Sequence, residues 1–163
     1  MSRISTLRGE AFENAVAETL LDHGWRILER RPEIEGIEVD LMVLPPGSQN
    51  GRLWFIECKG GEIPERSGLA RTDTTKKTLG TAWALRRSPA IREGVYFVVT
   101  SMMPSEESLS HQLLTDGILG GLLHGVGTIE SLLGLNEFLN GNLPGGGFTM
   151  RPSWGQPCGE ELE

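Results

Sequence analysis

The sequence predicts an α/β domain in which a mixed central sheet is flanked by helices. Its first hundred residues alternate between helix-like apolar spacing and strand-like apolar runs, in the order helix, three strands, helix, strand. A chain of 163 residues with 38% hydrophobic residues suits one core rather than two. We therefore expect a single domain over residues 1–140, with a core over 8–101 and a helical part over 105–140, followed by a tail over 141–163.

The first helix and the three strands after it are indicated by apolar spacing. The helix is predicted from Arg8 to His23, where Phe12, Val16 and Leu20 recur every four residues and a glycine follows. The second and third strands are expected to form a hairpin around the turn PPGSQNG. The predicted bounds of the strands are Trp25–Arg30, Ile37–Leu44 and Leu53–Lys59.

The rest of the chain predicts three helices and a fourth strand. A helix over Thr72–Arg87 is expected to turn one face to the core, made of Thr75, Leu79, Ala82 and Trp83. The β-branched and aromatic run VYFVVTS predicts a strand over Val95–Ser101. Two helices with several glycines follow, over Ser105–His124 and Ile129–Leu139, and ILGGLLHGV within the first is either core or a packing or dimer face. The Gly- and Pro-rich acidic residues from Gly141 onward are typical of an extended or disordered tail.

Composition narrows the classes of function. No apolar run approaches the roughly 18–20 residues of a membrane span, and the beginning of the chain, MSRISTLRGEAFENAV, lacks the apolar segment of a signal peptide. Two cysteines, Cys58 and Cys158, are too few for a disulfide framework. We therefore expect a cytoplasmic protein with no membrane partner.

The net charge of −7 is unevenly distributed along the chain. Residues 32–65 carry two basic and seven acidic side chains, whereas residues 66–93 carry seven basic and two acidic ones. Residues 94–163 are again acidic, with one basic and eight acidic side chains. An acidic block directly before a basic block is typical of a metal site beside a phosphate-binding surface, and an unevenly charged solvated surface is the alternative.

Charged residues stand where apolar strands would bury them. Alternation along LWFIECK places Glu57 and Lys59 on the same face, at the end of the third strand, and Cys58 on the other face, where it is expected to be core. Asp40 repeats the pattern within VDLMV on the neighbouring strand. Two convergent carboxylates suit Mg²⁺ or Mn²⁺, and a lysine beside them could orient or deprotonate an attacking water. A structural ion pair in a partly buried sheet is the alternative.

Asp40, a gap of sixteen residues and then Glu57-x-Lys59, within helix–strand–strand–strand–helix–strand, resembles the PD-(D/E)xK nuclease superfamily. The resemblance covers about residues 8–101 and implies the restriction-endonuclease-like αβββαβ fold, with Asp40 and Glu57 as metal ligands and Lys59 serving the hydrolytic water. Members often add a glutamate from the first helix, and Glu13 is the best match. A solvated surface position is the alternative for Glu13.

The basic helix after the motif is the expected phosphate-binding element. On a helical wheel Lys76 lies close to Leu79 and Trp83, toward the predicted sheet, so Lys76 is the first candidate for a phosphate contact, with Arg71 and Lys77 behind it. We expect nucleic acid to lie across residues 59–92. The acidic C-terminal third should face solvent or protein.

These observations predict a Mg²⁺- or Mn²⁺-dependent endonuclease that hydrolyses phosphodiester bonds in DNA, with RNA as the second choice. A homodimer or a partner subunit is the expected source of additional affinity. The alternative is a non-catalytic assembly or interaction subunit on a nuclease-like scaffold. The retention of three charged residues in an apolar strand context favours the enzyme, because a scaffold could replace them with apolar residues at no loss.

Overall fold

A computed structural model describes residues 3–47, 51–61 and 68–139. The helices and strands follow one another along the chain as α1 (Arg3–Asp22), β1 (Arg26–Arg30), β2 (Glu33–Ile34), β3 (Ile37–Glu38), β4 (Leu41–Leu44), β5 (Trp54–Lys59), α2 (Thr72–Leu85), α3 (Pro89–Glu93), β6 (Val95–Thr100), α4 (Leu109–Leu119), β7 (Gly125–Gly127) and α5 (Ile129–Leu139). A 3₁₀ turn, Gly68–Ala70, precedes α2. In the described part of the chain, no helix is both long and apolar enough to cross a membrane.

The central sheet has five strands in the order β1-β4-β5-β6-β7. Strands β1, β4 and β5 are antiparallel neighbours, whereas β5, β6 and β7 run parallel. The parallel pair β5 and β6 is joined through α2 and α3, as parallel pairing requires a long crossover connection. Strands β2 and β3 form a separate two-stranded ribbon.

Two apolar layers cover the sheet. On one face, α1 and α5 pack over a cluster that includes Trp54, Ile56 and Phe97, and Trp25 meets Trp54 edge to face with ring centroids 5.2 Å apart. On the other face, α2 and α4 cover a cluster that includes Phe55 and Tyr96. A sheet covered on both sides must be apolar on both faces, and all six residues of β6 are indeed buried. The predicted mixed sheet flanked by helices is confirmed.

The predicted strand Ile37–Leu44 is wrong in one respect, because it breaks at Val39 and Asp40. Its first part pairs with β2, and only Leu41–Leu44 joins the main sheet. The pairing of β4 with β5 ends at Leu41 opposite Ile56. Beyond this pair, the backbone amide of Cys58 donates its hydrogen bond to the side chain of Asp40 and not to a backbone carbonyl.

Two further predictions, for α2 and for the helix after β6, need correction. The buried face of α2 is Thr75, Thr78, Ala82 and Leu85, so Trp83 lies outside the core. The predicted helix Ser105–His124 ends at Leu119, since the chain then turns at Gly120 and Gly121 and adds strand β7 to the sheet. Within ILGGLLHGV, Leu123 and Val126 are buried in the core, whereas Leu119 is exposed. The predicted tail, 141–163, lies outside the described residues.

Candidate functional site

The site begins where β4 and β5 part. Asp40 lies between β3 and β4, and its Oδ2 accepts a hydrogen bond of 2.6 Å from the backbone N–H of Cys58. The backbone carbonyl of Asp40 accepts a second bond, 2.8 Å long, from the N–H of Arg31. These two bonds fix the Asp40 carboxylate against the C-terminal end of β5, next to Glu57 and Lys59.

Glu57 and Lys59 lie on one face of β5, as alternation predicts, and form a direct ion pair through Glu57 Oε1. Glu57 is only 5% exposed. Its other carboxylate oxygen, Oε2, is buried and has no hydrogen-bond partner among the described residues. A buried charged oxygen without a partner is costly, so this atom needs either a function or an additional ligand.

Both carboxylates have raised pKa values, chiefly because they are buried. Burial is the main cause that raises the pKa of Asp40, and the Cys58 amide and the Lys59 charge offset part of it. Burial also raises the pKa of Glu57, and the Asp40 charge raises it further against the opposing effect of Lys59. Two desolvated negative groups that repel each other form an environment that a cation would stabilise.

Lys59 remains a cation in this environment. Its burial alone would lower the pKa of the ammonium, but the charges of Glu57 and Asp40 and the bond to Glu57 outweigh burial and raise it. A lysine with a raised pKa does not release its proton near neutral pH. Lys59 can therefore donate hydrogen bonds and supply positive charge, but it cannot accept a proton.

Glu13 reaches the site from α1 and is 6% exposed, so it does not lie on a solvated surface. Phe12 packs so closely over Gly60 that a Cβ there would lie 2.4 Å from the Phe12 ring, and this approach holds α1 against the end of β5. Glu13 Oε2 pairs with the Arg31 guanidinium at 3.2 Å, and its charge raises the pKa of Asp40. Arg31 also reaches Glu10, at 3.4 Å.

Arg31 is a site residue that sequence reasoning missed. It follows β1 with a positive φ of 54°, an uncommon conformation for a residue with a side chain. The adjacent arginines before Pro32 give no indication of which one would turn toward α1. Only the backbone geometry selects Arg31, whose own pKa is raised by its bond to Glu13.

The predicted ligands Glu13, Asp40 and Glu57 are of the chemical type that binds a divalent metal ion, but the three side chains do not form one cluster. Within residues 3–47, 51–61 and 68–139, no group of three or more His, Cys, Asp or Glu side chains lies close enough together to hold a metal. Asp40 and Glu57 are hard oxygen donors that repel each other, and the unpartnered Glu57 Oε2 is a free ligand atom. Glu13 is already engaged by Arg31. The pair Asp40 and Glu57 therefore fits a divalent ion better than the predicted trio.

The basic residues of α2 are placed differently from the prediction. Lys76 is exposed rather than directed toward the sheet, and Arg71 and Lys77 are exposed as well. The beginning of α2 is nevertheless tied to the site end of β5 and β6, because Thr100 Oγ1 accepts the Leu69 N–H at 3.1 Å and donates to the Lys59 carbonyl at 2.9 Å. The three cations thus belong to a helix anchored at the site without touching it.

Two further residues near the carboxylates are chemically inert. Burial, with the Asp40 and Glu57 charges, raises the pKa of the Cys58 thiol well above its usual range, so Cys58 is no nucleophile. Burial and the same two charges raise the pKa of Tyr96. The Tyr96 hydroxyl is fully buried and, in the described structure, has no hydrogen-bond partner.

Known proteins offer little likeness to this chain. No family model matches it, and no curated protein matches it. Among solved structures, that of SfsA from Pyrococcus furiosus, in complex with Ca²⁺, superposes with a TM-score of 0.44 and 18% sequence identity. The match covers 76% of this chain and 57% of SfsA, so the chain corresponds to little more than half of that protein.

Proposed function

We propose that this protein is a metal-dependent nuclease of the PD-(D/E)xK type, acting on DNA in preference to RNA. The observation that carries the proposal is the grouping of Asp40, Glu57 and Lys59 at the point where β4 and β5 part, with one Glu57 oxygen buried and unpartnered. The resemblance of the spacing Asp40…Glu57-x-Lys59 to that superfamily supplies the reaction class.

Energetics favour a functional reading of these buried charges. Removing charged groups from water costs several kcal/mol per ion, and an ion pair repays this only with complete hydrogen bonding. Within the part of the chain that the structure describes, the bonding is incomplete, since Glu57 Oε2 has no partner there and Asp40 adds a second negative charge. A purely structural cluster would be more stable as apolar side chains, so its retention supports a role in binding or chemistry.

Asp40 and Glu57 would hold Mg²⁺ or Mn²⁺, which would supply Lewis-acid stabilisation of the charge that develops on the scissile phosphate. Lys59 would donate a hydrogen bond to the attacking water and orient it for in-line attack. The proton of that water would pass to solvent or to a phosphate oxygen. The Cys58 amide would keep Asp40 in place throughout.

Arg31 and Glu13 have a supporting role in this proposal. The Arg31 bond to Glu13 withdraws one negative charge from a site that already contains two carboxylates. Glu13 is proposed as a ligand only if Arg31 releases it when nucleic acid binds. Substitution of Arg31 is therefore expected to alter metal affinity more than it alters folding.

One observation favours a second candidate, the non-catalytic subunit. The described residues collect no group of three metal ligands, and both Glu13 and Glu57 already have basic partners. In that case the charged cluster would only hold α1 in place against β5. The two candidates differ in whether divalent metal binds and whether phosphodiester bonds are cleaved.

The test measures cleavage of labelled single- and double-stranded DNA and RNA with Mg²⁺ or Mn²⁺. Asp40→Asn, Glu57→Gln and Lys59→Met keep side-chain size and are expected to abolish cleavage. Glu18→Gln is the matched control, because Glu18 is an exposed carboxylate on α1 and is not among the groups that shift the pKa of Asp40 or Glu57. Cleavage that survives in Asp40→Asn and Lys59→Met would refute the site. Absence of both cleavage and metal binding in the wild type, by calorimetry, would favour the non-catalytic subunit.

A further inference from the structure

Helix α2 carries a large aromatic side chain on its outer face. Trp83 is 55% exposed, while the inner face of the helix buries Thr78, Ala82 and Leu85. Lys76 lies seven residues before Trp83, which is two helical turns, so the two side chains project from the same side of α2. Packing in the core therefore does not explain why a tryptophan stands at position 83. Trp83 lies on the same side of α2 as the exposed Lys76.

The surroundings of Trp83 are basic. The Arg86 guanidinium lies over the indole ring, 4.4 Å from its centroid. Lys77 and Arg87 are exposed on the same helix and the turn after it, and residues 66–93 carry seven basic against two acidic side chains. We name Trp83, Arg86, Lys76 and Lys77 the Trp83 platform, in which Lys77, six residues before Trp83, lies about 120° from Trp83 around the helix axis and forms the edge.

We infer that the Trp83 platform binds an unpaired nucleic-acid strand, with a base stacked on Trp83 and the lysines on neighbouring phosphates. The inference rests on the proposed function and names its substrate class, a single strand or an unpaired region. Stacking on an exposed indole requires a free base face, which a paired duplex does not offer at its side. A groove of positive charge beside an aromatic ring is the arrangement that single-strand-binding surfaces share.

The dimensions of the platform suit a strand. Lys76 and Trp83 are about 10 Å apart along the helix axis at 1.5 Å per residue. That length corresponds to roughly three stacked nucleotides at 3.4 Å each. The beginning of α2 is tied to Lys59 through Leu69 and Thr100, so a strand on the platform would run toward the candidate site.

The test is fluorescence anisotropy of a labelled oligothymidylate, and of the same strand paired with its complement, in EDTA so that no cleavage occurs. Trp83→Ala is expected to weaken single-strand binding roughly 5- to 100-fold, the range for loss of one base–aromatic stack. Trp83→Phe should recover most of the affinity, because it retains a ring. Lys76→Ala with Lys77→Ala should weaken both probes and reduce the slope of log Kd against log salt by about 1–1.5. Leu119→Ala is the matched control, since Leu119 is also an exposed apolar residue, 68% exposed, but lies on α4. This variant should bind both probes as the wild type does.

Unchanged single-strand binding by Trp83→Ala would overturn the inference, as would equal losses for strand and duplex. A shift of Trp83→Ala from dimer to monomer in sedimentation, with strand binding intact, would assign the platform to a second copy of the chain instead. The proposed function fails separately, through absence of cleavage with Mg²⁺ or Mn²⁺. If the wild type cleaves and Trp83→Ala binds the single strand as the wild type does, the nuclease proposal stands and only the role of the Trp83 platform is refuted.

Discussion

His124 joins the turn after α4 to the middle of the sheet through two hydrogen bonds with β6. Its Nδ1 accepts the Tyr96 N–H at 3.0 Å, and its own backbone N–H donates to the Tyr96 carbonyl at 2.8 Å. Only a neutral imidazole can accept at Nδ1. Burial, with the nearby Arg52 charge, lowers the pKa of His124 from 6.5 to about 4.

This shift predicts a loss of stability in acid. Between pH 6.5 and about 4 the unfolded chain binds a proton at His124 that the folded chain does not bind. The contribution of neutral His124 to the free energy of unfolding is therefore complete above pH 6.5 and is lost as the pH falls toward 4. At about 1.4 kcal/mol per pKa unit, the loss in the free energy of unfolding is about 3 kcal/mol. Asp40 and Glu57 act in the opposite direction, because their raised pKa values make the folded state bind protons first.

The variant His124→Asn isolates this contribution from the carboxylates. Asparagine Oδ1 can replace Nδ1 as the acceptor and does not titrate. Urea unfolding, followed by the fluorescence of the four tryptophans, gives the free energy for both proteins from about pH 7 to about pH 4. The difference, wild type minus variant, should fall by about 3 kcal/mol over this range. A difference independent of pH would refute the reasoning, and His23→Asn, at an exposed histidine, is the control for removing an imidazole elsewhere.

Three further predictions concern stability and use the same urea assay. Tyr96→Phe removes a buried hydroxyl that has no partner among the described residues, so the free energy of unfolding should stay within about 1 kcal/mol of wild type or rise. A loss above about 2 kcal/mol would mean that the hydroxyl is bonded. Thr100→Val should lower the free energy of unfolding by about 1–3 kcal/mol, because the Leu69 N–H loses its acceptor, whereas the Lys59 carbonyl keeps its bond from the Ser101 N–H. An equal loss in Thr100→Ser, which keeps the hydroxyl, would contradict this explanation. Gly94→Ala should cost about 1–3 kcal/mol, because its Cβ would lie 2.8 Å from two backbone oxygens that cannot rotate away. Gly80→Ala, in open space on α2, is its control and should be neutral or stabilising, and equal losses at both glycines would exclude steric overlap as the cause.

Much of the fold was predictable because its elements have strong local signals. The run VYFVVTS gives β6, and alternation in β5 assigns Phe55, Glu57 and Lys59 to one face. Strand β7 had no such signal, since Gly125–Gly127 is a strand only through its pairing with β6. Long-range pairing of a three-residue segment leaves no periodicity to detect.

The orientation of α2 was mispredicted for a chemical reason. The prediction placed Trp83 on the core face and did not include Thr78, whereas the helix is rotated so that Thr78 is buried and Trp83 is exposed. In the structure Thr78 is buried and its hydroxyl bonds to the Thr74 carbonyl within the helix, and Thr75 likewise satisfies its hydroxyl on Leu69. Threonines whose hydroxyls are hydrogen-bonded within the helix can be buried as apolar residues can. The face of α2 that packs against the core is therefore less apolar than the face predicted from the sequence.

The break in the predicted strand at Asp40 is also what creates the candidate site. Had β4 and β5 continued their pairing by two more residues, to Val39 opposite Cys58, the Cys58 amide would have bonded to a backbone carbonyl. Asp40 would then have no amide to accept, and its side chain would follow the ordinary alternation of the strand. Because the pairing ends there instead, the carboxylate takes the free amide and comes to lie beside Glu57. The sequence pattern revealed the charged residues, whereas the irregular backbone that brings them together depends on contacts between strands that are distant along the chain.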